Sequence, residues 1–146
     1  MADEWHALSL KQPWAALLSA GVKGVEVRTW GTRRRGPLLV HASKVPDERP
    51  EGWAWLTTTT PALRAAAELR GGVVGVAELT DCVKYATADA FLADRGRHLN
   101  APEWFRDGGL FGLVFCRAKV VPFHPVPGNT FFFPVAGFAL PKDGST

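Results

Sequence analysis

The stretch LSLKQPWAALLSAGVKGVEVR, residues 8–28, predicts a strand end, one short helix, a glycine turn and a second strand. Pro13 suits the first helical position, where its missing N–H leaves no hydrogen bond unmade. Trp14, Leu17 and Leu18 recur at i, i+3 and i+4, which gives the helix one apolar face. This pattern indicates a helix packed against a sheet.

The turn after this helix gathers charged side chains. Gly21 can take the left-handed conformation that ends the helix, and Lys23 follows within the turn. In the next strand Glu26 and Arg28 alternate with valines, so both project from one face, about 6 to 7 Å apart. The spacing fits two interpretations, a surface ion pair and a corner that receives a ligand.

The remaining periodicities predict a small α+β fold, a β-barrel with short helices packed on its ends. We expect strands over 5–10, 25–30, 38–43, 73–83, 111–121 and 130–135. A helix over 61–69 would be capped by Thr60, and another would be capped by Thr87, whereas 46–52 is predicted to be a loop. One domain would cover residues 1–146, with 141–146 as a flexible tail.

A basic segment follows the second strand. Gly31 and Gly36 bracket Thr-Arg-Arg-Arg, which predicts a hairpin tip between the second and third strands. Residues 23–44 contain six Lys or Arg and one Glu, a local charge of +5, whereas the whole chain carries only +3. Such a concentration is typical of a phosphate-binding surface, and also of a solvated hairpin that keeps a protein soluble.

Composition excludes several classes. No apolar run reaches the roughly 18 residues that a membrane helix needs, and MADEWHALSL lacks the pattern of a signal peptide. Cys82 and Cys116 are expected to be reduced, and the absence of C-x-x-C argues against zinc. We therefore predict a cytoplasmic protein with no membrane span, metal or cofactor.

LSLKQPWAALLSAGVKGVEVRTW resembles the opening signature of the ASCH domain (activating signal cointegrator homology), an LS-x-x-x-PW helix start followed by G-x-K-x-x-E-x-R. GVVGVAELTDC, residues 72–82, resembles the central strand of that family. The resemblance implies a PUA-like fold with a ligand cleft beside the first helix, lined by Lys23, Glu26 and Arg28. It also implies nucleic-acid binding, as expected for the cointegrator-type branch.

Glu78 is a further candidate because it interrupts the otherwise apolar strand 73–83. A carboxylate in such a strand needs a partner or water. Two interpretations stay open: a salt bridge with Arg28 or Lys23 that holds the barrel together, and a cleft carboxylate that binds base edges or handles a proton. In the second interpretation, Glu78 faces Lys23 across an opening to solvent.

The resemblance also implies an alternative function. Some bacterial ASCH proteins deacetylate N4-acetylcytidine with a Lys, a Thr and a Glu, whose positions are matched here by Lys23, Glu26 and Glu78. Because a glutamate occupies the threonine position, the hydroxyl nucleophile is missing from its usual place. Ser43 or Thr29 could supply a hydroxyl, although no pattern points to either.

Other bacterial relatives have been ascribed ribonuclease activity, for which His41 with Lys23 could provide acid–base chemistry. Trp30, beside the arginines, could stack a base or pack across strands.

The favoured prediction is a stand-alone ASCH protein that binds RNA or DNA, and the rivals are a hydrolase, a ribonuclease and an interaction domain for an acidic protein. The predicted nucleic-acid-binding residues are Lys11, Lys23, Glu26, Arg28, Trp30, Arg33, Arg34, Arg35, His41, Ser43, Lys44 and Glu78.

Overall fold

One six-stranded sheet forms the scaffold of the computed structural model, which describes residues 4–141. The strands are β1 (Trp5–Leu10), β2 (Val25–Arg28), β3 (Gly36–Ala42), β4 (Gly72–Tyr85), β5 (Leu110–Pro125) and β6 (Phe132–Val135). Their order is β2-β5-β4-β3-β1-β6, and the pair β1–β3 is parallel whereas the others are antiparallel. Apart from Pro141, the predicted tail lies outside the described residues.

Short helices occupy the connections. They are α1 (Trp14–Ser19), α2 (Pro50–Leu56), α3 (Pro61–Ala66), α4 (Ala88–Ala93), α5 (Arg95–His98) and a 3-10 turn, Pro102–Trp104. The predicted caps Thr60 and Thr87 are confirmed, each accepting a backbone N–H in the first turn. Helix α2 begins inside the predicted loop 46–52, where Pro50 and Glu51 supply helix-start signals.

Helix α1 is the centre of the largest core cluster. All six of its residues are buried, although the sequence predicted only one apolar face. The helix packs directly against β4, and Gly75 makes this contact possible. A Cβ at Gly75 would lie 2.1 Å from Ser19 Oγ, so any other residue would push α1 away from the sheet. This close packing fixes the Gly21–Lys23 turn that follows.

Strands β4 and β5 give the sheet its curl. Their pairing shifts register at three places, and each such irregularity bends and twists the ladder. The sheet therefore curls into a half-barrel around α1. Strand β5 passes through Pro122 and continues to Pro125, beyond the expected end at residue 121. Beyond Val114, β5 pairs only with β4, so the missing proline N–H groups interrupt no second ladder.

The prediction that the second and third strands pair as a hairpin is wrong. Strand β2 pairs with β5, whereas β3 lies between β4 and β1, so two strands separate them. Residues 29–35 form a connecting loop, called the basic loop below. Alternation of apolar residues identifies strands, but it does not identify their partners, because pairing depends on distant segments. The basic loop retains its charge and adjoins the sheet edge at β2.

No helix within residues 4–141 is long and apolar enough to cross a membrane. Cys82 and Cys116 are free.

Candidate functional site

A cleft of about 410 Å³ opens beside α1, where the ends of β1 and β2 meet three loops. Its lining combines cations, carboxylates, hydroxyls and two indole rings. The lining residues are Ser9, Lys11, Trp14, Glu26, Val27, Arg28, Ser43, Asp47, Arg49, Trp104, Asn129 and Thr130. Five predicted site residues are brought together here, namely Lys11, Glu26, Arg28, Ser43 and, beneath the lining, Lys23.

Glu26 is the anchored carboxylate of the cleft. Its side chain is only 12% exposed, and its Oε2 lies 2.9 Å from Arg28 Nη2. Its Oε1 lies 3.5 Å from Lys23 Nζ. Arg28 Nη2 also donates to the Ser9 carbonyl at 2.8 Å, which ties β2 to the end of β1. The carboxylate is therefore held rigidly between two cations.

Lys23 lies beneath the cleft, which corrects the expectation that it opens to solvent. Its side chain is 1% exposed, and its Nζ donates to the His98 carbonyl at 2.6 Å. The same Nζ lies 4.5 Å from the centre of the Trp14 ring. Burial lowers the pKa of Lys23, against the opposing effect of Glu26. Lys23 thus supports Glu26 from below and has no free path to a ligand.

Glu78 lies outside the cleft, so the expected confrontation with Lys23 does not occur. Its neighbours Ala77 and Leu79 face the core around α1, which places Glu78 on the opposite face of the sheet. There it accepts from Arg117 Nη1 at 2.5 Å, and 35% of its side chain is exposed. The strand pattern could not reveal this partner, because Arg117 lies 39 residues further along the chain.

One wall of the cleft was missed by the sequence analysis. Asp47 is 6% exposed and accepts from Trp14 Nε1 at 2.8 Å and from the Arg49 backbone N–H at 3.0 Å. Burial alone would raise the pKa of Asp47, but these hydrogen bonds outweigh it and lower the pKa. The Arg49 guanidinium lies 3.6 Å from the centre of the Trp104 ring. Because a buried indole N–H needs an acceptor, the predicted burial of Trp14 was the one sequence signal for a partner such as Asp47.

A serine–histidine pair lies at the β1–β3 side of the cleft. Ser9 Oγ is 2.9 Å from His41 Nδ1, and His41 Nε2 donates to the Val126 carbonyl at 2.7 Å. Because Nε2 carries the proton, Nδ1 accepts from the Ser9 hydroxyl. His41 is 1% exposed, and burial lowers its pKa. Lys44 and Ser43 line the adjoining hollow with this pair.

The basic loop meets the other end of the cleft through Trp30. Trp30 and Arg28 line a hollow of about 250 Å³ that shares Trp104 with the main cleft. The Arg34 guanidinium lies 5.2 Å from the centre of the Phe132 ring, which contacts Trp30. Arg33 is exposed, and Arg35 lies 3.8 Å from Asp81. Arg34 thus lies beside the aromatic residues next to the cleft, whereas Arg33 lines a separate hollow with Lys84 and Phe111 and Arg35 faces β4.

The ASCH domain family matches residues 8–119. Activating signal cointegrator 1 from Homo sapiens is 39% identical over 107 residues, covering 68% of this chain and 18% of that protein. The Mus musculus protein of the same name is 39% identical over 88 residues, covering 56% of this chain and 15% of that protein. The chain thus spans less than a fifth of these relatives.

A solved structure shows the same fold. The crystal structure of ASCH from Zymomonas mobilis superposes with a TM-score of 0.59 at 13% identity, covering 90% of this chain and 87% of that one. The crystal structure of a mutant of that protein gives a TM-score of 0.57 over 83% and 73% of the two chains, also at 13% identity. The likeness agrees with the PUA-like α+β fold expected from the sequence. The chain belongs to the ASCH domain family.

Proposed function

We propose that this protein binds RNA or DNA and that the cleft receives one nucleotide. The observation that carries the proposal is the combination in one cleft of a fixed carboxylate, Glu26, with exposed cations and an indole wall, Trp104. A carboxylate accepts N–H groups of a base edge, cations contact phosphates, and an aromatic ring contacts the base face. Membership of the ASCH family supports the same conclusion.

The charges around the cleft fit this partner. Glu26 is shared between Lys23 and Arg28, and Asp47 is paired with Arg49, so neither carboxylate leaves a free negative charge. Lys11 at the rim is exposed. The basic loop adds further positive charge at the Trp30 end. The approach to the cleft is therefore positive, which favours a polyanion.

Salt-dependent binding tests the phosphate contacts. Fluorescence anisotropy of a labelled single-stranded RNA and of a duplex DNA, titrated across salt concentrations, should give a steep slope of log K against log salt. Replacing Arg33, Arg34 and Arg35 with alanine should reduce that slope by up to about 2 for the single strand, since each contact contributes about 0.7. The partner was predicted without a choice between RNA and DNA, and the same titration with a single-stranded DNA of matching sequence makes that choice.

A matched variant controls for net charge. Replacing Arg64, Arg95 and Arg117 with alanine removes the same charge from residues that line neither the cleft nor the basic loop. This control should retain the wild-type slope. Equal slopes in both triple variants would contradict the proposed phosphate path. Binding of an acidic protein, with no binding of either nucleic acid, would favour the interaction-domain rival instead.

The Ser9–His41 hydrogen bond favours a second candidate, the hydrolase of acylated nucleosides. Ser9 Oγ would attack the acyl carbon and pass its proton to His41 Nδ1. The bond from the acyl group to nitrogen would then break, the amine would take that proton, and water would hydrolyse the acyl-serine ester. The Lys23–Glu26–Glu78 set does not support this reaction, because Glu78 lies on the opposite face of the sheet.

Incubation with N4-acetylcytidine, followed by chromatography, tests this candidate. Turnover that is lost in Ser9→Ala and retained in Ser43→Ala would establish Ser9 as the nucleophile. Turnover that is lost only in Lys23→Ala, while that variant remains folded by circular dichroism, would instead support the family mechanism and displace nucleic-acid binding as the main function. Absence of turnover in the wild type would dismiss the hydrolase.

A further inference from the structure

Phe131 has an unusual backbone conformation. Its φ is +55°, in the left-handed region that bulky side chains seldom adopt. Phe131 is also 57% exposed, so core packing does not explain this conformation. Strained residues of this kind concentrate at ligand-binding sites, where the surrounding structure holds them in place. Phe131 therefore marks a candidate binding surface.

The ring of Phe131 is one member of an aromatic cluster at the surface. Its centre lies 5.0 Å from that of Trp30, with the planes tilted by 57°. Phe132 contacts the same indole edge-on at 5.5 Å and lies beneath the Arg34 guanidinium. The Arg28 guanidinium lies 6.0 Å from the centre of the Trp30 ring. Exposed aromatic surface and positive charge thus occur together.

This cluster continues the cleft. Asn129 and Thr130, the two residues before Phe131, line the main cleft. Trp30 lines the adjoining hollow together with Trp104. A chain that places one nucleotide in the cleft would therefore pass over Trp30 and Phe131 as it leaves.

We propose that Phe131 and Trp30 form a stacking platform for an unpaired base of single-stranded nucleic acid, next to the nucleotide in the cleft. This inference rests on the proposed function. Duplex bases cannot reach such a platform, because their faces are covered by neighbouring bases. The guanidinium groups of Arg34, over Phe132, and Arg28, near Trp30, provide charge complementarity for the phosphates of that strand. The platform thus selects single strands over duplexes without reading sequence.

The test compares three labelled probes of equal length: a single-stranded oligonucleotide, the same strand with abasic sites, and a duplex. Phe131→Ala should weaken binding of the intact single strand by at least about 5-fold, the lower limit for loss of one stacked base. Binding of the abasic strand and the duplex, and the salt slope, should stay at wild-type values. Phe123→Ala is the matched control, because Phe123 is also exposed but lies on β5 outside the cluster.

Two further variants separate a binding role from a structural role. Phe131→Gly relieves the left-handed backbone, so it should melt no lower than the wild type while losing affinity as Phe131→Ala does. Phe131→Tyr keeps the ring and should retain affinity. Unchanged single-strand affinity in Phe131→Ala, or an equal loss with the abasic strand, would overturn the platform and leave cleft binding intact. No binding of any probe by the wild type would overturn both proposals.

Discussion

Replacing Lys23 with methionine removes the ammonium from the interior while keeping an unbranched side chain of similar size. The variant loses the 2.6 Å hydrogen bond from Lys23 to the His98 carbonyl. A hydrogen bond with a charged donor contributes about 1.5 to 3 kcal/mol to stability. It also loses the cation over the Trp14 ring, at 4.5 Å. Glu26 keeps Arg28, so this carboxylate retains one partner. No buried charge is left without a partner, so the lost hydrogen bond and cation–π contact together predict a cost of about 3 kcal/mol.

Urea denaturation measures this cost, and a loss of about 3 kcal/mol corresponds to a drop of roughly 10 °C in Tm. Lys11→Met is the matched control, because Lys11 is exposed at the cleft rim and its replacement should change stability by less than about 0.5 kcal/mol. A cost below about 1 kcal/mol for Lys23→Met would refute the structural role of the buried lysine.

The pH dependence gives a second measure of the same prediction. Burial lowers the pKa of Lys23 below its usual 10.5. Between the lowered value and 10.5, the unfolded chain binds more protons than the folded one, so the stability of the wild type rises with pH. Methionine has no such contribution. The stability difference between the wild type and Lys23→Met should therefore widen as the pH rises toward 10.5. A narrowing would show that the effect of Glu26 on the pKa of Lys23 outweighs that of burial.

Two other substitutions test the walls of the site. Trp14→Phe removes the indole N–H that donates to Asp47 and should cost about 1.5 to 3 kcal/mol in urea denaturation. The lowered pKa of Asp47 contributes stability that is present above pH 3.8 and is lost as the pH falls through the folded-state pKa. Trp14→Phe should therefore lose less stability than the wild type when the pH falls below 4. An equal loss of stability in acid would count against this hydrogen bond. Gly128→Ala would place a Cβ 2.7 Å from His41 Cε1, so it should cost about 1 to 3 kcal/mol, and an unaffected Tm would mean that this loop moves away easily.

Sequence by itself determined the local elements around the cleft. The Pro13–Leu18 periodicity identified α1, and the alternation at β2 placed Glu26 and Arg28 on one face. These features follow from the 3.6-residue and 2-residue periods, which are properties of the segment alone. The family signature in the same stretch identified the ASCH fold, and the family match confirmed it.

Only the tertiary structure decided which side chains meet. The sequence placed Lys23 at an open corner opposite Glu78, but Lys23 is buried against His98, 75 residues away, and Glu78 pairs with Arg117. It likewise predicted a hairpin where β2 in fact pairs with β5. Partners so distant in sequence are chosen by global packing, which leaves no local pattern.

The cleft wall formed by Asp47, Arg49 and Trp104 could not be predicted from the sequence either. No periodicity marks these residues, because they lie in a loop and a single 3-10 turn. They become a site only when α1 presents the Trp14 indole to Asp47 and the guanidinium of Arg49 covers Trp104. The sequence thus determined the elements that carry the cleft, whereas long-range packing determined its walls, since burial and pairing depend on the whole chain at once.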